Sequence, residues 1–369
     1  MMRVTLIAFT LVFVLMAGVS LESARAGARL SVSGEGPGIV ETTPRDWLRH
    51  PQRERYYTES WTTILRSTKG DTLFVTFVYS NIGVISGNTA VNIVHIPAGR
   101  PSRHFRYTYA TRDYGENPAT GRIVIGPNSK VLRGRDLQLR LRESDFELDA
   151  EIKGAVDGVK FHDGRLYLDE RREHWMQTFF HIPRGSFGAR LVVNGESAKW
   201  SGDAYSDHAV QNKLSTDFSE RWWTMRLFTP EHSLSFIAFR TPEKAGGELA
   251  MRMLLTGKDE LLAASDQMSL EVGGEIADPK GHRYETRYRL SYEDPKVRFK
   301  GTVERRRKLD REAFMENLGR MERLVAEMVA GNPIVYRMEA AAEIELTLAG
   351  GATTTLEGDA IIETIVMGD

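Results

Sequence analysis

Residues Trp175–Phe228 read WMQTFFHIPRGSFGARLVVNGESAKWSGDAYSDHAVQNKLSTDFSERWWTMRLF. Aromatic and β-branched residues are concentrated in 172–182 and 221–230, the two β-rich runs at its ends. Between them, Asn194-Gly195 is a strong two-residue turn signal. No helical periodicity separates the runs, so the stretch favours antiparallel strands over βαβ units.

Similar β-rich runs extend from this stretch towards both ends of the chain, at intervals of roughly ten residues. They are 60–67, 72–80, 90–96, 104–110, 122–126, 130–134, 137–142 and 146–154 before it, and 233–242, 248–257, 268–274, 284–292 and 297–307 after it. In YETRYRLSY (284–292) bulky and charged residues alternate, as on a barrel wall with one face in water. The pattern predicts an all-β fold of antiparallel barrels or sandwiches.

One helix is predicted, over residues 311–330. Asp310 is a suitable N-cap, an apolar stripe follows, and Gly331-Asn332-Pro333 ends the pattern. We expect this helix to pack on a barrel, the alternative being a surface for a membrane or a partner. The next segment predicts a hairpin around Gly350-Gly351.

Composition excludes several function classes. The chain has 369 residues, a formal net charge of −1 and no cysteine. The length suggests two domains, and the balanced charge argues against a nucleic-acid partner. Without cysteine there are no disulfides, thiolate metal sites or thiol nucleophiles. The nine histidines show no HxH or HExxH spacing, so the sequence predicts neither a metal site nor a cofactor.

The N-terminus resembles a secretory signal. Met1–Arg3 are weakly basic, residues 4–19 are apolar, and Ala24-Arg25-Ala26 is a small-x-small cleavage site. We expect a signal peptide at 1–26, cleavage after Ala26 and a periplasmic protein; the alternative is an uncleaved membrane anchor. Residues 27–55 are then predicted to be an extended N-terminal segment.

Four segments in order carry a resemblance to a known family. They are ESWTTIL with TLFVTFVYSNIG (59–83), the Trp175 stretch, NPIVYRMEAAAEIELTL (332–348) and LEGDAIIETIV (356–366). In this order they resemble the survival-factor family of tandem lipocalin-like proteins and, more distantly, the AttH and carotenoid-hydratase superfamily. The resemblance covers residues 56–369. It implies an N-terminal lipocalin-like barrel at 56–196 and a C-terminal one at 197–369 that includes the helix.

The resemblance also implies a function. The fungal members are associated with ceramide handling, but they are intracellular, so the ligand and compartment are not carried over. We expect an exported protein without catalysis that binds or transfers a lipid or isoprenoid, with transient membrane contact. One alternative is a terpenoid or carotenoid-type hydratase, cyclase or isomerase. A stress-related scaffolding module is the other.

The densest polar cluster beside aromatic residues supplies the predicted ligand site. Its members are Tyr205, Asp207, His208, Gln211, Asn212, Trp222, Trp223 and Arg226. In the enzyme alternative, the resemblance to the carotenoid-hydratase and terpenoid-cyclase relatives implies that Asp207, with His208, lies at a cavity between the barrels and protonates an alkene. A carboxyl in an apolar pocket has the raised pKa that such an acid needs. The structural alternative is that both residues satisfy buried backbone groups.

Two basic motifs are given structural interpretations. Residues 305–308 (RRRK) are expected to be a solvated strand end, with an anionic-lipid patch as the alternative. Pro183-Arg184-Gly185 is expected to be a strand-ending loop.

Overall fold

The computed structural model describes residues 38–82, 85–169, 171–243, 246–313 and 333–367. The strands of the first half are β1 (Ile39–Glu41), β2 (Thr58–Ser67), β3 (Thr72–Ile82), β4 (Ile85–Ile96), β5 (Arg103–Tyr109), β6 (Tyr114–Asn117), β7 (Arg122–Ile125), β8 (Asn128–Arg133), β9 (Asp136–Arg142), β10 (Phe146–Gly154), β11 (Val159–Tyr167), β12 (Trp175–Val193) and β13 (Glu196–Gln211). Those of the second half are β14 (Arg221–Phe228), β15 (Ser233–Arg240), β16 (Leu249–Thr256), β17 (Leu261–Ser265), β18 (Ser269–Gly273), β19 (Ile276–Ala277), β20 (Arg283–Tyr284), β21 (Arg287–Glu293), β22 (Val297–Ala313), β23 (Ile334–Leu348) and β24 (Thr353–Val366).

Helical structure within these ranges is confined to short segments, so the predicted all-β class is confirmed. They are α1 (Pro44–Trp47), a 3₁₀ turn (Thr111–Asp113) and α2 (Ser215–Phe218). None of the described helices has the length and apolar character needed to cross a membrane.

The first sheet is a nearly closed antiparallel barrel of thirteen strands. Its hydrogen-bonded order is β5-β4-β3-β2-β13-β12-β10-β9-β8-β7-β6, with β11 on β12 and β1 on β11. The two ends of this path, β5 and β6, follow one another in the chain through residues 110–113. A short covalent link therefore joins the two edges of the barrel.

The second sheet has nine strands and is organised in the same way. Its order is β17-β16-β15-β14-β24-β23-β22-β21-β18, and its ends are again consecutive strands. The predicted hairpin around Gly350-Gly351 is confirmed, since β23 and β24 pair on either side of it. Both sheets thus place a continuous antiparallel ladder around an apolar interior.

Each sheet has its own core, and a third apolar cluster lies between them. The first core includes Trp61, Phe77 and Phe179, while that of the second sheet includes Met225 and Tyr288. The intervening cluster joins outward-facing residues of both sheets. Its large members are Phe74, Phe161, Phe180, Tyr205, Leu254 and Ile361. Successive strand residues point to opposite faces, so β2 contributes Trp61 to one cluster and Ile64 to another.

Two buried arginines fasten the sheets together. Arg184 of β12 donates to the carbonyls of Gly257, Thr229 and Pro230 in the second sheet's turns. Arg252 of β16 donates in the opposite direction, to the carbonyls of Gly164 and Arg165. The prediction of a strand-ending loop at 183–185 is wrong, because β12 does not end there.

The chain at 183–185 continues through β12 with a register irregularity between Ile182 and Gly185. The irregularity places the Arg184 side chain, which is 9% exposed, between the sheets. A buried guanidinium needs several acceptors, and the turns of the second sheet supply them.

Two further predictions, on the domain boundary and on the start of the helix, differ from the structure. The predicted domain boundary at residue 197 falls inside the β12–β13 hairpin, and β13 also pairs with β2, so the first sheet runs to Gln211. The predicted helix start is wrong, because 311–313 continue β22 and pair with β23. The rest of that helix, 314–330, and the signal peptide, 1–26, lie outside the described residues.

The N-terminal segment is folded against the first barrel where it is described. Residues 39–41 pair with β11, and α1 follows immediately. Residues 27–37 lie outside the described range. The prediction of a merely extended segment is thus wrong for its second part, because buried Trp47 anchors it to the barrel core.

Residues 305–308 lie within β22 and carry ion pairs. Arg306 contacts Asp359, and Arg307 Nε lies 3.0 Å from Glu339 Oε1. The segment is solvated as predicted, but it lies in the middle of β22, so the prediction of a strand end is wrong.

Candidate functional site

Asp207 and His208 point to opposite faces of β13. Tyr205 and Asp207 face the second sheet, whereas His208 faces the interior of the first barrel with Ala204 and Val210. The reason is the two-residue period of a strand. The predicted Asp207–His208 pair is therefore not assembled, although both side chains are buried.

On the inter-sheet face, Asp207 belongs to a buried polar cluster. The Tyr205 hydroxyl donates to Asp207 Oδ2 over 2.8 Å, and Arg226 Nη2 lies 3.4 Å from the same oxygen. Arg226 also lies over the Tyr205 ring, 4.5 Å from its centroid, and 3.6 Å from Glu363 Oε2. Burial raises the pKa of Asp207 in spite of Arg226. Three of the predicted ligand residues are thus brought together here.

The remaining predicted residues lie apart. Gln211 and Asn212 fix the end of β13 through hydrogen bonds to Lys213 and Glu173. The Trp223 ring lies in the core of the second sheet, where Nε1 donates to Glu285 over 3.0 Å. Trp222 packs in a small apolar cluster between the sheets.

A second buried polar cluster lies inside the first barrel, and the sequence did not predict it. We define the Glu59 cluster as Tyr57, Glu59, His50 and His208. Glu59 Oε1 lies 2.7 Å from His208 Nε2 and 3.4 Å from His50 Nδ1, and it accepts the backbone N–H of His50 over 2.9 Å. Tyr57 donates its hydroxyl to the other carboxylate oxygen. Burial raises the pKa of Glu59, but hydrogen bonds from both histidines outweigh it and leave that pKa below its usual value.

The His208 ring is held in one orientation. Its Nδ1 lies 2.8 Å from the Asp46 carbonyl, which can only accept, so this nitrogen carries a proton. The ring stacks on Trp61 at 4.6 Å and lies 5.4 Å from Phe179. Nε2 is therefore directed at the Glu59 carboxylate.

The N-terminal segment covers this cluster. Trp47 is fully buried; its Nε1 donates to the Gly121 carbonyl, and its own carbonyl accepts from Trp61 Nε1 over 2.7 Å. Lys160 holds Asp46 at 2.9 Å. Of the cluster, only His50 reaches towards solvent, with a side chain 20% exposed.

Lys130 is a third unusual group in the same barrel. It is fully buried and donates to the Trp61 carbonyl at 2.6 Å, Thr63 Oγ1 at 2.9 Å and the Val75 carbonyl at 3.3 Å. All three acceptors are formally neutral. Burial lowers the pKa of Lys130 to about 7.

A sequence signal exists for one of these groups, Glu59. On β2, Glu59, Trp61 and Leu65 share the face that enters the core, so a carboxylate interrupts an apolar period-two face. Lys130 gives no comparable signal, because it follows the polar residues Asn128 and Ser129. His50 gives no such signal, since it lies outside any strand.

A further cluster ties the sheets at β5, β22 and β23. His104 Nε2 lies 2.8 Å from Asp310 Oδ1, and its Nδ1 lies 3.6 Å from Glu312. Arg337 Nη1 is 2.7 Å from Asp310 and 2.9 Å from Glu312. Asp310 is therefore an ion-pair partner within a strand, and its predicted role as a helix cap is wrong.

Open hollows of the described surface lie away from the Glu59 cluster. One, of about 290 Å³, lies between Ile39, residues 261–264 and residues 294–296. Another, of about 330 Å³, is formed by β18, β21 and β22.

Comparison with known proteins identifies relatives of this architecture. Residues 38–367 match the Svf1 family. No curated protein matches the sequence significantly.

Three solved structures share the fold at low sequence identity. The AttH-like protein NE1406 of Nitrosomonas europaea is 13% identical, with a TM-score of 0.56 over 92% of this chain and 100% of that one. Kievitone hydratase of Nectria haematococca is 12% identical, with a TM-score of 0.51 over 93% and 98%. CghA is 9% identical, with a TM-score of 0.53 over 90% and 98%.

Proposed function

The chain belongs to the Svf1 family, and from this membership and the first barrel's interior we propose that it is an exported carrier of a hydrophobic small molecule. The cargo class is a lipid or isoprenoid with one polar end. Export is proposed from the basic start, the apolar residues 4–19 and Ala24-Arg25-Ala26.

The observation that carries the proposal is the Glu59 cluster within an aromatic wall. Glu59 and His208 are both fully buried among Trp61, Phe179 and Trp47. Replacement of a buried carboxylate–imidazole pair by apolar residues of similar volume often leaves a protein equally stable or more stable. The stability of the barrel therefore does not explain why this pair is present. A few convergent polar groups inside an apolar barrel are typical of a site that orients an apolar ligand by its polar end.

The N-terminal segment suggests the route of entry. Residues 43–50 lie over the Glu59 cluster, so an incoming ligand would displace Trp47 and take up its apolar contacts. Release of the Asp46 carbonyl would at the same time free the Nδ1 proton of His208 for the ligand's polar end. Transient contact with a membrane fits this exchange of apolar surface.

The test is native mass spectrometry of protein purified from its own envelope, followed by organic extraction. We expect one lipid or isoprenoid per chain, and Glu59→Gln to retain about tenfold less, since one charge-assisted hydrogen bond is lost. Asp207→Asn is the matched control, because that carboxylate lies on the opposite face of β13.

An empty wild-type protein, or equal loss in both variants, would reject the proposed site. Equal loss in both variants would favour a ligand site on the inter-sheet face, where the sequence analysis predicted it. A stoichiometric protein partner without lipid would favour the scaffolding alternative.

A second function is favoured by one specific observation. In the Glu59 cluster the His208 imidazole, oriented by the Asp46 carbonyl, lies 2.7 Å from the Glu59 carboxylate, so the imidazole would be the acid and Glu59, whose pKa is lowered, the base. Such a pair can add water across an alkene: the acid protonates one carbon, water attacks the other, and the base takes the proton that water loses. One structural neighbour is named a hydratase. Asp207, whose pKa is raised by burial, is the alternative proton donor.

An assay of product formation distinguishes a carrier from a hydratase. The full-length chain is incubated with geranylgeraniol in ¹⁸O water, and products are examined by mass spectrometry. Labelled product that disappears in Glu59→Gln but persists in Asp207→Asn would place catalysis in the barrel. The reverse would place it between the sheets, and no labelled product would leave the carrier function.

A further inference from the structure

We propose that His50, Glu59 and His208 form a binding site for a divalent transition-metal cation of the zinc class inside the first barrel. Their ligand atoms all lie within 4.8 Å of one another. Two imidazoles and one carboxylate are a ligand set that holds zinc while leaving a fourth position open. This inference stands apart from the carrier function, because it concerns the ion alone.

The separations suit a tetrahedral ion. Ligands about 2.1 Å from such an ion lie roughly 3.4 Å from one another. The distance from Glu59 Oε1 to His50 Nδ1 is 3.4 Å, and that to His208 Nε2 is 2.7 Å. To admit a tetrahedral ion, the distance between Glu59 Oε1 and His208 Nε2 would have to increase by less than about 1 Å.

The surroundings orient the ligands as a metal site requires. The Nδ1–H of His208 is directed at the Asp46 carbonyl, which leaves Nε2 as the coordinating atom. The second carboxylate oxygen of Glu59 is engaged by the Tyr57 hydroxyl. Each buried ligand therefore has a neighbour that fixes its orientation.

Charge gives a reason for a cation. Among the described residues, the Glu59 carboxylate is contacted by two imidazoles, a phenol and a backbone amide, and no lysine or arginine pairs with it. A fully buried carboxylate needs a compensating positive charge. Without an ion, the N–H groups of the two imidazoles stabilise the carboxylate and lower its pKa, and a divalent ion would take the place of those protons.

His181 is an independent observation beside these groups. It is 1% exposed, and neither ring nitrogen has a hydrogen-bond partner in good geometry. Its ring is stacked 6.1 Å from that of His208, next to the Asp46 backbone. A buried imidazole without hydrogen-bond partners in good geometry therefore lies beside the proposed ligands.

The other histidine–carboxylate group differs in that an arginine already pairs with its carboxylates. At His104, Asp310 and Glu312, the Arg337 guanidinium lies within 2.9 Å of both carboxylates and already supplies the positive charge. This group is therefore the matched control.

The experiment uses full-length protein stripped with chelator and titrated with Zn²⁺ or Co²⁺. We expect saturation at one ion per chain, the visible absorption of four-coordinate Co²⁺ and a rise in Tm. His50→Gln and His208→Gln should weaken binding at least tenfold, and His104→Gln should leave it unchanged.

His50 is partly exposed, so its variant is expected to fold even if the His208 variant does not. Failure of the wild type to bind one ion with saturation, or equal loss in His50→Gln and His104→Gln, would overturn the proposal. Both results would leave the carrier proposal standing, because the probe is the metal ion without lipid.

Discussion

Lys130 shows how one residue can set a pH dependence for a whole barrel. Its ammonium group is fully buried and bonded only to neutral oxygens, so the charged form is poorly solvated. Its pKa is lowered from 10.5 to about 7 by burial. Between these values the unfolded chain holds a proton that the folded barrel has lost.

The sign of the effect follows. Where the unfolded state binds more protons, stability rises with pH, so Lys130 makes wild type gain stability from about pH 7 to about pH 10.5. We expect Lys130→Met to be more stable than wild type below pH 7, with the difference shrinking as pH rises. Urea unfolding between pH 6 and 9 measures this, with the exposed Lys153→Met as control. A difference independent of pH would contradict it.

At the scale of the element, β13 explains most about the site. Its register with β12 and β2 sends Tyr205 and Asp207 to the inter-sheet cluster and His208 to the first barrel. The strand also passes close to β2 at Gly202, where a Cβ would lie 2.0 Å from the Arg66 carbonyl oxygen. Gly188 of β12, by contrast, has open space around it.

We therefore expect Gly202→Ala to destabilise the fold by about 1–3 kcal/mol through overpacking. Gly188→Ala should change stability by no more than about 1 kcal/mol, with added stability because alanine restricts the unfolded chain. Denaturant unfolding of the two variants provides the comparison. Equal effects would show that the close approach of β13 to β2 does not limit the side chain.

Elements were more predictable than sites because strand patterns are local. Period-two runs and turn residues predicted the strands and the final hairpin. The prediction that Asp207 and His208 act as a pair was wrong, because neighbouring residues in a strand point to opposite faces of the sheet. Glu59 was visible as a carboxylate on an apolar face, whereas its meeting with His50 and His208 depends on long-range register and on the N-terminal segment.

At the scale of the whole molecule, polar groups as well as apolar ones join the sheets. Arg184 and Arg252 cross the interface in opposite directions, and His104 of β5 reaches Asp310 and Glu312 of β22. Arg252 lies over the ring of Phe161, and Arg337 lies over that of Phe74, both members of the apolar cluster between the sheets. We expect the two sheets to unfold together as one cooperative unit.

His104 gives this coupling a pH dependence. Hydrogen bonds with Asp310 and Glu312 raise the pKa of His104 to about 9, above the 6.5 of an unfolded chain. Its stabilisation is thus complete below about pH 6.5 and lost as pH rises through about 9. Because the His104 side chain is 36% exposed, solvent screening keeps the effect to a few degrees in Tm.

The measurement compares Tm of wild type and His104→Gln from pH 6 to 10. We expect the gap between them to close with rising pH. Because each variant is compared with wild type, this fall is separable from the opposite slope due to Lys130. A gap that stays constant across the range would contradict the proposed ionic link.

The strand order of the first sheet has a mechanical consequence. The barrel's edges, β5 and β6, are tied by residues 110–113 and lie at opposite ends of the hydrogen-bonded path. They form a seam that can widen at the expense of side-chain contacts while the remaining ladders stay intact. Opening of this seam would break no hydrogen-bonded ladder, and the short covalent link would act as a hinge that limits how far the two edges separate.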